Sequence, residues 1–436
     1  MVVTNESAKP IYLLMKLYKV VLILAIAILT PFTMRAQAPV ITSVNKYVAA
    51  TGTRITIVGS NFGTNPANLA VFFGAAKANL LSVTNQLLEV SVPSGATFEN
   101  ITVTNTSTGL TAYSNDPFLP SYGGEHPFVS TDVQGQFDFN ASSGLYDICV
   151  TDLDGDGKND IASVAEPLTA PNASITLFRN TSTPGTVNFT ATTLLSIITK
   201  TLHVQSGDLN GDGKPDLVIS EGGASDKVII LKNSSSPGSF SFSFQNISLS
   251  GTRPKRIEIA DLDLDGKPEL ILTDQGTGKL TVLPNSSSLA SISFAAPKTF
   301  TVTGATNTDG LSIEDLNGDQ LPDIVMNQIL LPNVFILHNN SSQGNIKLEN
   351  QITLTVSGNL ANVRVGDLDG DHKPDIAVTR WLSSSISVFL NQGTNVQIGF
   401  TSPTTITTDT EPWGIDFGDI DGDQKKTLLF PPLRKQ

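Results

Sequence analysis

The nonapeptide Asp152-Leu-Asp-Gly-Asp-Gly-Lys-Asn-Asp160 decides how the rest of the chain is read, because it returns along the sequence. Copies stand at 208–216, 261–269, 315–323 and 367–375, and a degenerate one at 419–427 opens Asp419-Ile-Asp-Gly-Asp423. Their first aspartates lie 56, 53, 54, 52 and 52 residues apart. A constant period near fifty residues marks a repeat architecture in which each unit is one supersecondary element stacked on its neighbours.

Outward from each nonapeptide the same order recurs. A short apolar run leads in, as in Val363-Arg-Val365, and a β-branched run leaves, as in Leu217-Val-Ile219. A third run ends at or near Asn, as in Val228-Ile-Ile-Leu231 and Val334-Phe-Ile-Leu337, and a Ser/Asn/Gly turn leads to a fourth, such as Phe240-Ser-Phe-Ser-Phe244. Four short strands per period predict a β-propeller of four-stranded blades. A β-helix needs shorter periods, and helical repeats need a 3.6-residue apolar pattern that is missing. Each acidic segment is then a hairpin connection between two strands.

Positions 1, 3, 5 and 9 of the loops carry oxygen side chains that a tight turn aims at one centre. They are Asp152, Asp154, Asp156 and Asp160; Asp208, Asn210, Asp212 and Asp216; Asp261, Asp263, Asp265 and Glu269. The series continues with Asp315, Asn317, Asp319 and Asp323, then Asp367, Asp369, Asp371 and Asp375, then Asp419, Asp421 and Asp423. With the carbonyl of position 7 and water they supply the six or seven oxygens that Ca²⁺ prefers. No cluster of His, Cys and carboxylate suits a transition metal. Glycine at position 6 (Gly157, Gly213, Gly266) permits positive φ at the bend, and proline at position 8 presets φ before the last ligand. The spacing is not the twelve-residue EF-hand loop. His372, at the bend of loop five, reads as a solvent-facing turn residue. Loops one and three, with four carboxylates each, are expected to bind best, and loop six, with Thr427 at position 9, worst.

This region, from 128 onward, resembles the FG-GAP/VCBS repeat family, the propeller repeat of integrin α-subunits. The resemblance implies a propeller, seven-bladed when complete, with calcium in hairpins between the first two strands of a blade, and roles in adhesion or ligand binding. After Asp423 the pattern stops, and only seventeen residues follow Asp419. The expectation is a sixth blade left incomplete, as in a truncated version of a longer protein.

Upstream the rhythm changes. Residues 38–118 lack acidic loops and alternate β-rich runs with turns, which predicts a small antiparallel sandwich. Thr53-Arg-Ile-Thr-Ile-Val-Gly-Ser-Asn-Phe-Gly63, Val71-Phe-Phe-Gly74, Val90-Ser-Val-Pro93 and Ile101-Thr-Val-Thr104 resemble the IPT/TIG immunoglobulin-like family. A Pro/Gly-rich linker is placed at 119–127 and the propeller at 128–436. Residues 1–36 read as an export signal: Lys16 and Lys19 precede an apolar run of about ten residues, Val20 to Leu29, with cleavage after Ala36.

Bulk properties agree with this organisation. The net charge is −13, and the nonapeptides hold 21 of 40 acidic and 6 of 27 basic residues, so the remainder sums to +2. Acidity confined to the loops is charge waiting for cations, and no basic patch interleaved with aromatics points to nucleic acid. The single cysteine, Cys149, lies in an apolar run and reads as a small core residue. An exported chain without disulfides takes stability from elsewhere, here from bound metal.

The function expected is therefore an exported, calcium-binding, non-catalytic propeller at the cell surface or outside the cell. Its partner would be a glycan or protein ligand, and no segment after the signal would span a membrane. A propeller enzyme acting on polysaccharide, a lyase or hydrolase, is the alternative. It needs converging acid, base and electrophile, whereas His126, His203, His338 and His372 are scattered. Trp381 and Trp413 are candidates for an aromatic platform. The Asn-x-Ser/Thr sequences at Asn180, Asn233 and Asn285 arise readily in such turns.

Overall fold

Strand-forming, β-branched runs separated by Gly, Asn and Ser turns become strands throughout the computed structural model of the chain. It describes residues 37–121, 139, 144–165, 173–183, 186–198, 201–222, 226–394, 397–408, 411–418 and 427–429. The expected export signal, His126 and the metal-ligand candidates Asp419, Asp421 and Asp423 lie outside the described residues.

The N-terminal part is a two-sheet sandwich. One sheet orders Val40–Val44, Arg54–Ser60, Leu87–Ser91 and Asn79–Val83; the other orders Val48–Ala50, Leu110–Ser121, Glu99–Asn105, Leu69–Phe73 and Ala76–Lys77. Alternate residues of both sheets, among them Ile55, Ile57, Val71, Phe73, Leu88 and Val90, form one buried core. The last strand runs past 118, where the linker was expected to begin. Phe118 and Leu119 are buried, and Val48–Ala50 pairs in parallel with Leu119–Ser121, so the chain cannot leave the sandwich earlier.

Five four-stranded antiparallel sheets follow in simple up-and-down order. The first blade comprises Leu145–Thr151, Asp160–Ala165, Ala173–Asn180 and Phe189–Ile198; the second Thr201–Gly207, Asp216–Glu221, Lys227–Asn233 and Phe242–Ser248. The third comprises Pro254–Ala260, Glu269–Asp274, Lys279–Leu283 and Lys298–Thr301, and the fourth Thr308–Glu314, Asp323–Gln328, Asn333–Asn339 and Leu348–Thr355. Val363–Gly366, Asp375–Arg380, Ser385–Phe389 and Thr404–Thr407 make the fifth, and Asp416–Gly418 pairs with Thr427–Leu429 beyond it. The first strand of each blade packs beside the first strand of the next, so these strands line the axis. Outer strands such as Phe242–Ser248 stay largely exposed.

The second strands are buried on both faces, as in Asp216–Glu221 and Glu269–Asp274. The period of two explains this. Leu217 and Ile219 join Val164 and Leu177 of the preceding blade, while Val218 joins Ile257 and Leu270 of the following one. A strand sandwiched between two sheets reads as a continuous apolar run, which is why its alternation is invisible in the sequence.

Candidate metal centre

Each complete acidic nonapeptide spans the hairpin between the first two strands of its blade, with Thr151 paired to Asp160 and Gly207 to Asp216 at the closing register. The carboxylate at position 1 organises the turn. Asp152 accepts the N–H groups of Gly155, Asp156 and Gly157 at 2.8, 3.1 and 2.9 Å, and Asp208 repeats this with Gly211, Asp212 and Gly213 at 2.8, 3.1 and 2.7 Å. Position 9 ties the loop to its blade. Asp160 accepts from the N–H groups of Leu153 and Asn180 at 2.9 and 2.7 Å, and Asp216, Asp323 and Asp375 do the same in their blades.

Positive φ is required at position 4 as well as at position 6. The angles at position 6 are 87°, 81°, 86°, 74° and 65° for Gly157, Gly213, Gly266, Gln320 and His372. At position 4 they are 75°, 74°, 56°, 76° and 86° for Gly155, Gly211, Leu264, Gly318 and Gly370. Leu264, Gln320 and His372 therefore sit in a conformation that costs a side-chain-bearing residue about 1–2 kcal/mol. The His372 side chain is 94% exposed, 3.9 Å from Asp367, as a turn residue would be.

The oxygens converge. Carboxylate atoms of Asp152, Asp154 and Asp160 lie within 4.8 Å of one another, as do those of Asp261, Asp263 and Asp265 and those of Asp367, Asp369 and Asp371. In loop two, buried Asn210 donates through Nδ2 to Asp212 and to the Leu289 carbonyl, while its Oδ1 has no partner among the described residues. An orphaned, buried oxygen at position 3 is what a cation would satisfy.

The lysines of loops one, two and three do not neutralise this charge, whereas Lys373 of loop five lies 3.9 Å from Asp371. The ammonium groups of Lys158, Lys214 and Lys267 donate to the carbonyls of Ser182, Ser235 and Ser287 at 2.9, 2.6 and 2.8 Å, on the turn between the third and fourth strands. Left together and desolvated, several of these carboxyls hold their protons above the usual range. Burial pushes Asp160, Asp208, Asp261 and Asp323 up to about 7, and burial with the nearby Asp261 charge pushes Glu269 up to about 9. Loop four differs, because His338 Nε2 stands 3.2 Å from Asp319 and 3.1 Å from the Asn317 amide. The donor set is all-oxygen in the other loops and fits a hard divalent ion. Such an ion would be held by positions 1, 3, 5 and 9 and would supply compensating charge.

A second set of residues escaped the sequence reading. The asparagine closing each third strand latches one blade to the one before. Asn233 donates through Nδ2 to the Leu153 carbonyl of the preceding loop at 2.8 Å and to Pro215 of its own at 2.9 Å. Asn285, Asn339 and Asn391 do likewise to Leu209, Leu262 and Leu316 at 2.9, 2.8 and 2.8 Å. The signal was present, for Asn233, Asn285, Asn339 and Asn391 follow position 9 by 17, 16, 16 and 16 residues. Asn233 and Asn285 are buried with both amide hydrogens used, which leaves no folded-state role for them as glycan acceptors. Position 3 reaches forward: Asp154 and Asp263 accept the N–H of Gly238 and Gly344 in the next blade at 2.9 and 2.8 Å.

The sandwich sits against the loops. Ala75 accepts the Asp152 N–H at 3.0 Å, the Thr111 N–H donates to Gly266 at 2.8 Å, and Asn159 donates to Gly95 at 2.7 Å. Gly211 meets Gly109 so closely that a Cβ there would lie 2.2 Å from the Gly109 carbonyl. Loops one, two and three are thus an internal contact as much as an exposed face. At the opposite ends of the inner strands, Asp309 pairs with Lys255 at 3.0 Å and Arg256 at 3.5 Å, and buried His203 lies 3.4 Å from Asp147. Trp381 and Trp413 are half-buried and meet edge to face at 5.4 Å, which is not a flat platform. Cys149 is buried, and desolvation pushes its thiol up to about 12, consistent with a packing role. No helix among the described residues is long and apolar enough to cross a membrane.

Comparison with known proteins gives two family matches. Residues 152–219, 208–272, 261–326 and 315–378 match the FG-GAP-like repeat, and residues 39–122 match the IPT/TIG domain. No curated protein matches the sequence. Among solved structures, an auxiliary nutrient binding protein from Bacteroides thetaiotaomicron is 12% identical, with a TM-score of 0.39 over 90% of this chain and 98% of that one. A putative 6-phosphogluconolactonase from Bacteroides fragilis is 14% identical, with a TM-score of 0.47 over 85% and 89%. A rhamnogalacturonan lyase is 16% identical, with a TM-score of 0.41 over 91% and 74%. With its repeats matched across more than half its length, the chain belongs to the FG-GAP-like repeat family, as an all-β propeller preceded by an IPT/TIG domain.

Proposed function

We propose that this chain is an exported, calcium-stabilised binding protein without catalytic activity, whose ligand is an extracellular glycan or protein. The observation that carries the metal part is the convergence of buried loop carboxylates whose own lysines are turned away. Desolvated like charges without a counter-ion are unfavourable, and loops one and three show both the convergence and the averted lysine. The ligands would be the residues at positions 1, 3, 5 and 9 of the loops at 152, 208, 261, 315 and 367. Export is supported by the apolar N-terminal run behind Lys16 and Lys19, and bound metal would supply the stability that disulfides give other exported chains. A non-catalytic role is supported by the disposition of the histidines: His203 is buried with Nδ1 accepting the Ile257 N–H and Nε2 3.4 Å from Asp147, His338 lies on the third strand of the fourth blade against Asp319, and His372 faces solvent. Isothermal titration of calcium into chelator-treated protein, with a glycan array and a polysaccharide-degradation screen on the same material, tests the reading. Calcium uptake and binding without turnover support it. No uptake sinks the metal assignment, and turnover sinks the non-catalytic one.

A further inference from the structure

We propose that the cavity enclosed between the sandwich and the loop-side ends of the inner strands binds a small neutral saccharide of about two sugar rings. The proposal rests on the binding role above and gives it a place and a ligand class. The cavity measures about 410 Å³ and is bounded by the sandwich strands Glu99–Asn105 and Leu110–Ser121 on one side. Gln205, Glu258 and Arg364, from the inner strands of blades two, three and five, and Asp416, from the strand beyond, face them.

The lining offers donors and acceptors in alternation. Gln205 Nε2 donates to Glu258 at 3.0 Å, which fixes that carboxylate and leaves its other oxygen toward Arg364 at 3.8 Å. The Arg364 guanidinium lies 3.9 Å from Asp416 on its other side. Both separations exceed hydrogen-bond length, so the guanidinium and the two carboxylates retain capacity for a third partner. Glu99 is exposed by area, but the space it faces is this cavity. Burial and the neighbouring Glu258 push its carboxyl up to about 7, so near neutrality it donates as well as accepts. The Tyr113 hydroxyl adds a further donor and acceptor.

A sugar hydroxyl both donates and accepts, and this mixture suits it. An anionic ligand would meet six carboxylates, Glu99, Glu258, Asp261, Glu314, Asp315 and Asp416, against one guanidinium. With Asp261 and Asp315 committed to loop calcium and Arg364 standing between Glu258 and Asp416, a cationic one would have to displace that guanidinium to reach the carboxylates facing the sandwich. Phe98 and Phe417, edge to face at 6.3 Å, give the lining an apolar surface for the C–H face of a ring.

The test is titration calorimetry, with saturation-transfer NMR, on the full chain in calcium. The probes are maltose, cellobiose and lactose, with digalacturonate and glucosamine as charged controls. At least one neutral disaccharide is expected to bind, and Arg364→Ala and Tyr113→Phe should each weaken it about tenfold with unchanged melting in calcium. Binding of none of the three neutral sugars, or preferential binding of either charged control, overturns the proposal. So does neutral-sugar binding that survives both variants, which would place the site elsewhere. Failure of the calcium reading shows separately, as melting indifferent to chelator.

Discussion

Chelation of the full chain is the perturbation with the largest calculable effect. Extracellular modules hold Ca²⁺ with dissociation constants of about 10⁻⁴–10⁻³ M. At ~1 mM ion and ~0.1 mM dissociation constant, each occupied loop stabilises the fold by about 1.4 kcal/mol, and five by about 7. At about 2.1 cal/mol/K of unfolding entropy per residue over roughly four hundred residues, that corresponds to a fall of about 8 °C in Tm on chelation. The pH dependence sharpens the test. In the metal-free fold Asp160, Asp208, Asp261 and Asp323 rise from 3.8 to about 7. A carboxyl raised in the folded state favours folding below its unfolded value and loses that contribution as pH climbs through the folded one. Chelated protein is therefore expected to melt at progressively lower temperature between about pH 4 and pH 7. Calcium-loaded protein, whose loop carboxylates are ionised and paired, should show little slope there. Differential scanning calorimetry at stepped pH, with chelator and after calcium is restored, measures both. Identical curves with and without chelator would refute the reasoning.

Four further outcomes follow from particular contacts. Asn339→Ala strips partners from the buried Leu262 and Pro322 carbonyls and should cost about 2–4 kcal/mol in denaturant unfolding. His372→Gly relieves a φ of 65° and, after the entropy of the added glycine, should gain about 0.5 kcal/mol. Lys255→Met takes one of two cations from buried Asp309 and leaves Arg256 at 3.5 Å, a loss of about 1–3 kcal/mol read from thermal unfolding. Cys149, its thiol at about 12, should resist maleimide in native protein and label fully in denaturant.

Much of this was legible because the chemistry is local. A turn that must gather oxygens needs acids at alternate positions and glycine at the bend, and both are written in nine consecutive residues. The strands flanking it show as apolar runs of the right length. What stayed hidden depends on partners dozens of residues away. The blade latches are single asparagines whose partners lie 75 to 80 residues back. Their recurrence was visible, but a buried amide bridging two loops and a turn-forming asparagine look alike in sequence. The second left-handed position was masked where Leu264 replaces glycine.

The nonapeptides by themselves determined that the chain is a periodic all-β array with oxygen-rich hairpins, because each turn is set by its own position-1 carboxylate and its own left-handed residues. The tertiary structure alone decided that the sandwich seats against the first three loops, through Ala75, Gly95, Gly109 and Thr111. It alone brought Glu99, Glu258, Arg364 and Asp416 to one cavity. Those groups are scattered over more than three hundred residues, and only the circular stacking of blades, driven by burial of both faces of every second strand, places them side by side.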